Sequence, residues 1–320
     1  MSKNGLPRKP LTKRRLKNLI LNVLKNPFNM VVLVSLVILF CLIIIPLLTM
    51  IANTFTLAQG ELRRVQGHVG DFTLYYWKYI LASTLSGAVL WGPLKNSFIC
   101  GFFTVLVSVP LGSVLAWLMI RTDIPGKKIL GLLVTVPYMI PSWTKALAWL
   151  AMFRNSTSGA DGFLAGMGIP IPDWLAYGPI AIVLCMSMHY YAFSYIMVSG
   201  ALRSINSELE EMGEIQGASK AQILRHITLP LILPSVLSAT VMTISKSIGT
   251  YGVPANLGNR IGYYTLATKM RNFIDQGPQA VGYAMSIVLV LLAALIIFSN
   301  QRIVGVRKSY ATVSGKGGRA

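Results

Sequence analysis

Two lysines are the first candidates for chemistry, because each lies in an apolar stretch long enough to cross a membrane. Lys145 interrupts the stretch 129–150, and Lys246 lies near the end of the stretch 229–247. A charged side chain inside a spanning helix costs about 2.5–3.5 kcal/mol on insertion scales, so it usually faces a cavity or a partner. No acidic residue of these stretches can pair with either lysine. We hypothesise that one or both line a route for an anionic or anion-chelated solute, with snorkelling of the ammonium to the membrane surface as the alternative.

The remaining candidates give no sign of a catalytic or metal site. Tyr251 follows the second lysine closely and is a third candidate for the route. His189 is predicted to be a hydrogen-bonded core histidine rather than a metal ligand. The three cysteines have no CxxC partner and are predicted to be buried thiols. The sequence also lacks the GxxxxGK[ST] phosphate loop, so we expect the chain not to hydrolyse ATP itself.

The elements that must position these residues are membrane-spanning helices. The chain is 54% hydrophobic and 12% charged, whereas soluble domains carry about a quarter charged residues. A membrane span needs about 20 apolar residues, and its backbone N–H and C=O groups must form hydrogen bonds within the segment. We therefore predict an all-α membrane protein with about six transmembrane helices, at 30–51, 96–120, 129–150, 177–202, 229–247 and 281–299.

The net charge of +19 is concentrated in the tails and in short loops. Lys and Arg collect in the cytoplasmic segments of membrane proteins, so the pattern favours a lipid membrane as the surrounding medium and nucleic acid is not an expected partner. We predict a multi-pass protein with a basic cytoplasmic N-terminal tail at 1–29, a transmembrane domain at 30–305 and a cytoplasmic C-terminal tail at 306–320.

The loop 204–230 contains four of the ten acidic residues of the chain. Ser207 with Glu210, and Ser219 with Gln222, have the spacing of capping boxes, so two short helices are predicted. Gly217 can end the first helix in the left-handed conformation. Pro230 is predicted to end or kink the second. An acidic helix of this kind favours a protein partner over a lipid surface, with a solvated surface helix as the alternative.

This loop resembles the EAA loop of binding-protein-dependent permeases of type I ABC importers. Glu211-Met212-Gly213, three residues, Gly217, nine residues, and then Ile227-Thr228-Leu229-Pro230 match its spacing, although the two family alanines are replaced. The resemblance covers about residues 90–305 and implies the type I importer permease fold. Glu211 and Gly217 are the positions it carries over most directly. The full set expected to couple to an ATPase is Glu208, Glu211, Met212, Gly213, Gly217, Ala218, Ile227, Leu229 and Pro230.

The resemblance also implies partners, a location and a class of cargo. The partners are two ABC ATPase subunits that bind ATP and magnesium, a second permease subunit and an extracellular or periplasmic binding protein. The location is the bacterial cytoplasmic membrane, and no cofactor is expected in this chain. The strings at 249–258 and 264–271 resemble ferric-iron-type permeases, which makes ferric iron the expected cargo. Thiamine, polyamine and phosphonate permeases share parts of these strings and remain alternatives. An ATP-independent secondary transporter and a membrane enzyme are the competing classes, but neither inverted repeats nor clustered acidic residues and histidines are visible.

Overall fold

The computed structural model describes residues 27–61, 65–205 and 208–308, and these are almost entirely helical. In this described part, one isolated bridge pairs Thr56 with Phe72. The principal helices are α1 (Pro27–Asn53), α2 (Tyr75–Ala82), α3 (Gly87–Arg121), α4 (Lys127–Met139), α5 (Ser142–Phe153), α6 (Gly178–Ser204), α7 (Glu208–Ile215), α8 (Lys220–Gly249), α9 (Gly252–Leu257), α10 (Leu266–Gln276) and α11 (Gln279–Lys308). Short helical turns occupy Gln59–Glu61, Ser156–Ser158, Phe163–Gly166, Asp173–Ala176 and Asn259–Ile261.

Five of these helices are long and apolar enough to cross a membrane: α1, α3, α6, α8 and α11. Each contains one of the predicted spans or overlaps it almost completely. The most apolar of them, α1, has no buried residue in its spanning window, so it lies at the edge of the helix assembly. The tails at 1–26 and 309–320 lie outside the described residues, so their predicted roles stay predictions. In the predicted tail 306–320, helix α11 continues as far as Lys308.

The third predicted span, 129–150, is not one helix. Helix α4 ends at Met139, and α5 begins at Ser142 after an extended connection. Ile140 has φ −79° and ψ 130°, which is the extended conformation imposed on a residue that precedes proline. Pro141 also has no N–H with which to continue the ladder. The stretch therefore forms two helices broken at Ile140–Pro141, and carbonyl groups at the break are left without helical partners.

The centre of the assembly is the pair α3 and α6, which approach each other very closely at Gly112. A Cβ atom at this position would lie 2.4 Å from the carbonyl oxygen of Tyr191 and 2.7 Å from Ser194 Cβ. Small residues at such crossings let backbones approach, which supports association of spans in the absence of a hydrophobic driving force. Helices α4 and α8 also pack against α6.

Three buried clusters follow this arrangement. One joins α3, α5, α6 and α9 around Trp149 and Met186, and a second joins α2, α3, α10 and α11 around Tyr76 and Met285. The third joins α3, α6 and α8 around Leu202. Arg121 donates to the carbonyl of Leu202 in the third cluster and pairs with Glu210 of α7, so the acidic loop is attached to a packed end of the assembly.

Helix α8 runs through the position at which Pro230 was predicted to end or kink it. A π-helical turn at Leu224–Thr228 precedes the proline, and the α-helix resumes at Leu229. Because the wider turn shifts the hydrogen-bond ladder by one residue, a proline directly after it is accommodated without ending the helix. The second half of the loop, from Lys220, and the fifth span therefore form one continuous helix, which we call the rod.

Candidate functional site

The acidic loop forms a helical hairpin, which we call the acidic hairpin (residues 208–228). Its first arm is α7, and Gly217 ends this arm with φ +86°. The second arm begins at Ser219, whose side chain accepts from the Gln222 N–H while Gln222 accepts from the Ser219 N–H. The left-handed glycine and the second capping box are thus confirmed. The first predicted capping box lies outside the described residues at Ser207.

The two arms of the acidic hairpin pack tightly at Gly213. A Cβ atom there would lie 3.2 Å from side-chain carbons of both Ile223 and Ile227. The Gly213 carbonyl also accepts from the Ala218 N–H at 3.0 Å. A small residue is therefore required at this position, and the replacement of the family alanine by Gly213 satisfies that requirement.

The outward surface of α7 combines negative charge with apolar side chains. Glu211 and Met212 are exposed, and Ile215 is 85% exposed. Leu209 is 48% exposed, and Glu208 lies at the start of the same helix. Exposed apolar residues between carboxylates, at the end of a protein rather than along its spans, are suited to contact with another protein.

Glu210 turns the other way and anchors the acidic hairpin to the spans. Its Oε2 atom lies 3.0 Å from Arg121 Nε at the end of α3, and its Oε1 atom accepts from the Thr228 hydroxyl at 2.6 Å. Arg121 also donates to the Leu202 carbonyl at 3.1 Å. The Arg121 and Glu210 side chains are 17% and 18% exposed. The sequence alone does not identify this anchor, because the choice among four nearby glutamates depends on which way α7 faces.

Leu229 and Pro230 begin the α-helical part of the rod, and Lys246 lies near its other end. The rod rises about 1.5 Å per residue, so Lys220 and Lys246 are roughly 39 Å apart along it. No loop therefore separates the second arm of the acidic hairpin from the surroundings of Lys246.

Lys246 does not extend freely toward a membrane surface. Its Nζ atom donates to the Tyr138 hydroxyl at 3.0 Å and lies 4.7 Å from the centre of the Phe193 ring. These partners come from α4 and α6, so the ammonium lies between three helices. The side chain is half-buried.

Lys145 lies at the break between α4 and α5. Its Nζ atom donates to the Ile140 carbonyl at 3.1 Å and contacts His189 Nδ1. The His189 ring stacks on Tyr138, with centroids 5.2 Å apart. Tyr138, Lys145, His189, Phe193 and Lys246 form what we call the lysine cluster. Tyr251 is 45% exposed, and no hydrogen bond or ring contact in the described part of the chain joins it to this cluster.

The lysine cluster carries positive charge that no carboxylate of this chain balances. None of the ten acidic residues falls within α1, α3, α4, α5, α6, α8 or α11. Lys145 also borders a largely apolar groove of about 570 Å³. The arrangement suits an anion better than a metal, and among the described residues no group of three His, Cys, Asp or Glu side chains could hold a metal ion.

The loop that follows α5 is held by a carboxylate. Asp173 accepts from Asn155 Nδ2 at 2.6 Å and from the Thr157 hydroxyl at 2.9 Å. These two donors lower the pKa of the Asp173 carboxyl below its ordinary value. The carboxylate thereby joins the start of this loop to its end.

Residues 108–309 match the family described as binding-protein-dependent transport system inner membrane component. The probable sulfate transport system permease protein cysT of Marchantia polymorpha is 27% identical over 180 residues, which are 55% of this chain and 59% of that protein. A Salmonella typhimurium (strain LT2) protein carrying the name 2-aminoethylphosphonate transport system permease protein PhnV is 28% identical over 232 residues. That match covers 72% of this chain and 80% of the relative.

Among solved structures, a chain of a bacterial ABC transporter involved in the import of the acidic polysaccharide alginate has a similar fold. The TM-score is 0.67 at 18% identity, covering 91% of this chain and 98% of that one. At this identity the similarity shows the fold, which is that of a type I ABC importer permease.

Proposed function

Because the chain belongs to the family of binding-protein-dependent transport system inner membrane components, we propose that it is the permease subunit of an ATP-driven importer of a small solute. In this proposal the chain forms part of the path through the bacterial cytoplasmic membrane. Helices α1, α3, α6, α8 and α11 and the broken pair α4–α5 make six crossings in this arrangement, and both termini then lie in the cytoplasm. An extracellular or periplasmic binding protein delivers the solute, and two separate ATPase subunits bind ATP and magnesium. A second permease, identical or paralogous, completes the path.

The acidic hairpin supports this function more than any other feature. It presents Glu211 and Met212 outward, and its second arm is the first part of α8. A groove on an ATPase that moves this hairpin would move the whole rod. We therefore propose that Glu208, Glu211, Met212 and the packed turn at Gly217 and Ala218 dock on the ATPase, and that Ile227, Leu229 and Pro230 transmit the displacement.

Two variants test the coupling role. Glu211→Ala removes an exposed charge, and a charge-assisted hydrogen bond is worth roughly 1.5–3 kcal/mol. Gly217→Val forces a side chain into the left-handed conformation, which costs on the order of 1–2 kcal/mol. We expect both variants to insert normally but to bind the ATPase weakly and to stop transport. Glu214→Gln, an exposed change on the same arm, is the matched control.

The measurement is ATP hydrolysis and solute entry, followed together in reconstituted vesicles that contain the binding protein. Wild-type uptake and wild-type stimulation of hydrolysis in both variants would refute the coupling role. Uptake that continues without ATP or an ATPase subunit would instead support a secondary transporter.

We further propose that the solute is a small oxyanion of the sulfate or phosphonate class. The unbalanced charge of Lys145 and Lys246 carries this part of the proposal. Thiamine and polyamines are cations and would be repelled, as would a bare ferric ion. The relatives reported above carry names that refer to sulfate and 2-aminoethylphosphonate, and neither name refers to iron.

Lys246→Met tests the cargo class. We expect it to reduce uptake of radiolabelled sulfate or 2-aminoethylphosphonate while assembly and docking of the binding protein stay normal, and Lys246→Arg should retain part of the activity because the charge survives. Lys269→Met is the control, since this lysine also lies over an aromatic ring, 4.6 Å from the centre of Tyr264, but outside the spans. Normal transport by Lys246→Met would remove this lysine from the path.

A further inference from the structure

Two arginines line a pocket at the end of α5 that lies away from the acidic hairpin. The pocket has a volume of about 370 Å³, and Arg154, Arg260 and Asn256 supply its polar groups. Apolar residues of α5 and α9 form the rest of its wall. It is separate from the lysine cluster, none of whose residues lines it.

Close contacts hold this pocket together. A Cβ atom at Gly252, the first residue of α9, would lie 2.6 Å from Trp143 Cβ, so glycine allows α9 to lie directly against α5. The backbone of Arg154 is held on both sides, since its N–H donates to Leu150 and its carbonyl accepts from Gly162 at 2.7 Å. The Arg154 guanidinium therefore comes from a backbone position with little freedom.

The charge of this pocket is not balanced. Among the described residues, no carboxylate forms an ion pair with Arg154 or Arg260. Arg154 Nε is buried and has no hydrogen-bond partner within the described chain. Arg271, on the neighbouring α10, differs because it pairs with Asp275 at 2.7 Å. A guanidinium presents its donors in a planar fork that matches the oxygens of sulfate, phosphate and phosphonate groups.

We propose that the pocket formed by Arg154, Asn256 and Arg260 is a receiving site, where the oxyanion released by the binding protein first binds to the permease. This inference rests on the oxyanion cargo of the proposed function. Helix α5 carries Arg154 at its end and Lys145 near its start, about 14 Å apart along the helix axis. The receiving site and the lysine cluster thus lie at opposite ends of one helix.

The charge preference of the pocket can be measured without knowing the cargo. Ala151 lines the pocket and is exposed, so Ala151→Cys, with the exposed Cys41 changed to Ser, provides one reactive thiol there. Each rate is divided by the rate of the same reagent with a free thiol in solution. On this normalised scale a sulfonate-bearing thiosulfonate reagent should modify the cysteine about tenfold faster than a trimethylammonium reagent, because the arginines attract the anion. Changing both arginines to glutamine should abolish this preference, whereas Arg271→Gln should leave it intact. Equal normalised rates for the two reagents in the variant that retains both arginines would overturn the proposal.

Transport by the reconstituted complex tests the role of the site. With sulfate and 2-aminoethylphosphonate as probes, Arg154→Gln and Arg260→Gln should each lower uptake at limiting solute about tenfold or more, and Arg154→Lys should retain part of it. Arg271→Gln should transport normally, and unchanged thermal unfolding would show that the variants fold. If the wild type transports these probes and the double glutamine variant takes them up normally, the receiving site is refuted while the proposed cargo is not. Failure of wild type to transport either probe would overturn the proposed cargo as well.

Two further measurements distinguish the solute from the two other groups that could contact the arginines, a lipid phosphate and the binding protein. A phospholipid phosphate could occupy the pocket, so uptake is compared in zwitterionic membranes with and without phosphatidylglycerol. Loss of bound phosphatidylglycerol in the arginine variants, with normal sulfate uptake, would identify a lipid site and contradict the proposal. Weakened docking of the binding protein, with an unchanged preference for the anionic reagent, would identify a protein contact and contradict it equally.

Discussion

Neutralising Glu210 should release the acidic hairpin from the spans without altering the surface that it presents. The Glu210 carboxylate holds Arg121 at 3.0 Å and the Thr228 hydroxyl at 2.6 Å. Glu210→Gln keeps the size and one hydrogen bond but removes the ion pair. We expect the hairpin to open more often and ATP hydrolysis to become less tightly coupled to uptake.

The expected size of the effect follows from burial. Breaking a fully buried ion pair costs about 3–5 kcal/mol, whereas an exposed pair is worth at most about 1 kcal/mol. Both side chains are less than a fifth exposed, but Arg121 keeps the Leu202 carbonyl as a partner. An intermediate value of about 2 kcal/mol is therefore expected. Since about 1.4 kcal/mol corresponds to a factor of ten, opening should become roughly thirtyfold more frequent.

Hydrogen exchange of the amides in residues 208–228 measures this opening directly. Glu210→Gln and Arg121→Gln should each accelerate exchange. The acceleration in the double variant should be smaller than the product of the two single accelerations, because both changes remove the same ion pair. Glu214→Gln, an exposed change on the same helix, should have no effect. Exchange that is no faster in Glu210→Gln than in Glu214→Gln, or independent effects of the two pair variants, would contradict the role given to this ion pair.

Three other outcomes are expected. Gly112→Ala should lower the temperature of aggregation of the purified protein by several degrees, because its Cβ would lie 2.4 Å from the Tyr191 carbonyl oxygen and overpacking costs roughly 1–3 kcal/mol. Protease cleavage of the loop 154–173 should rise below about pH 4. Asn155 and Thr157 lower the pKa of the Asp173 carboxyl in the folded protein. The stabilisation from this carboxylate is therefore present above the ordinary pKa of an aspartate and is lost as the pH falls through the pKa of the folded state. The detergent-solubilised complex should have the mass of two permeases and two ATPases.

Each of these outcomes has a control or a contradicting result. Gly200→Ala places the same methyl group in open space on α6 and should not change the aggregation temperature. Asp173→Asn should raise cleavage at pH 7, where the wild-type loop is protected, and an unchanged rate would contradict the role given to the carboxylate. A stable complex with a single permease chain would contradict the assembly.

The spans and the caps of the acidic hairpin could be predicted because they depend on local sequence. Apolar length defined α1, α3, α6, α8 and α11, and the Ser219–Gln222 spacing defined the second arm. Local rules also predicted a disruption of the helix at Pro141 and at Pro230, but they did not predict which kind of disruption each proline produces. One proline breaks the helix, whereas the other follows a π-helical turn and leaves the helix continuous.

The contacts within the candidate site could not be predicted, because they join helices far apart in sequence. Lys246 was a candidate for its charge alone, and its partner Tyr138 could be found only once α4 and α8 were placed against α6. Glu210 and Glu211 are neighbours of the same type, yet one faces Arg121 and the other faces outward. Tyr251 shows the converse, since proximity in sequence to Lys246 did not bring it to the cluster.

The π-helical turn at Leu224–Thr228 sets the angular phase between the two ends of α8. Such a turn amounts to one inserted residue, and each residue of an α-helix rotates the next by about 100°. Deleting a single residue there would leave the rod intact but rotate Lys246 by about that angle relative to the acidic hairpin. The lysine would then leave Tyr138 although neither residue had changed.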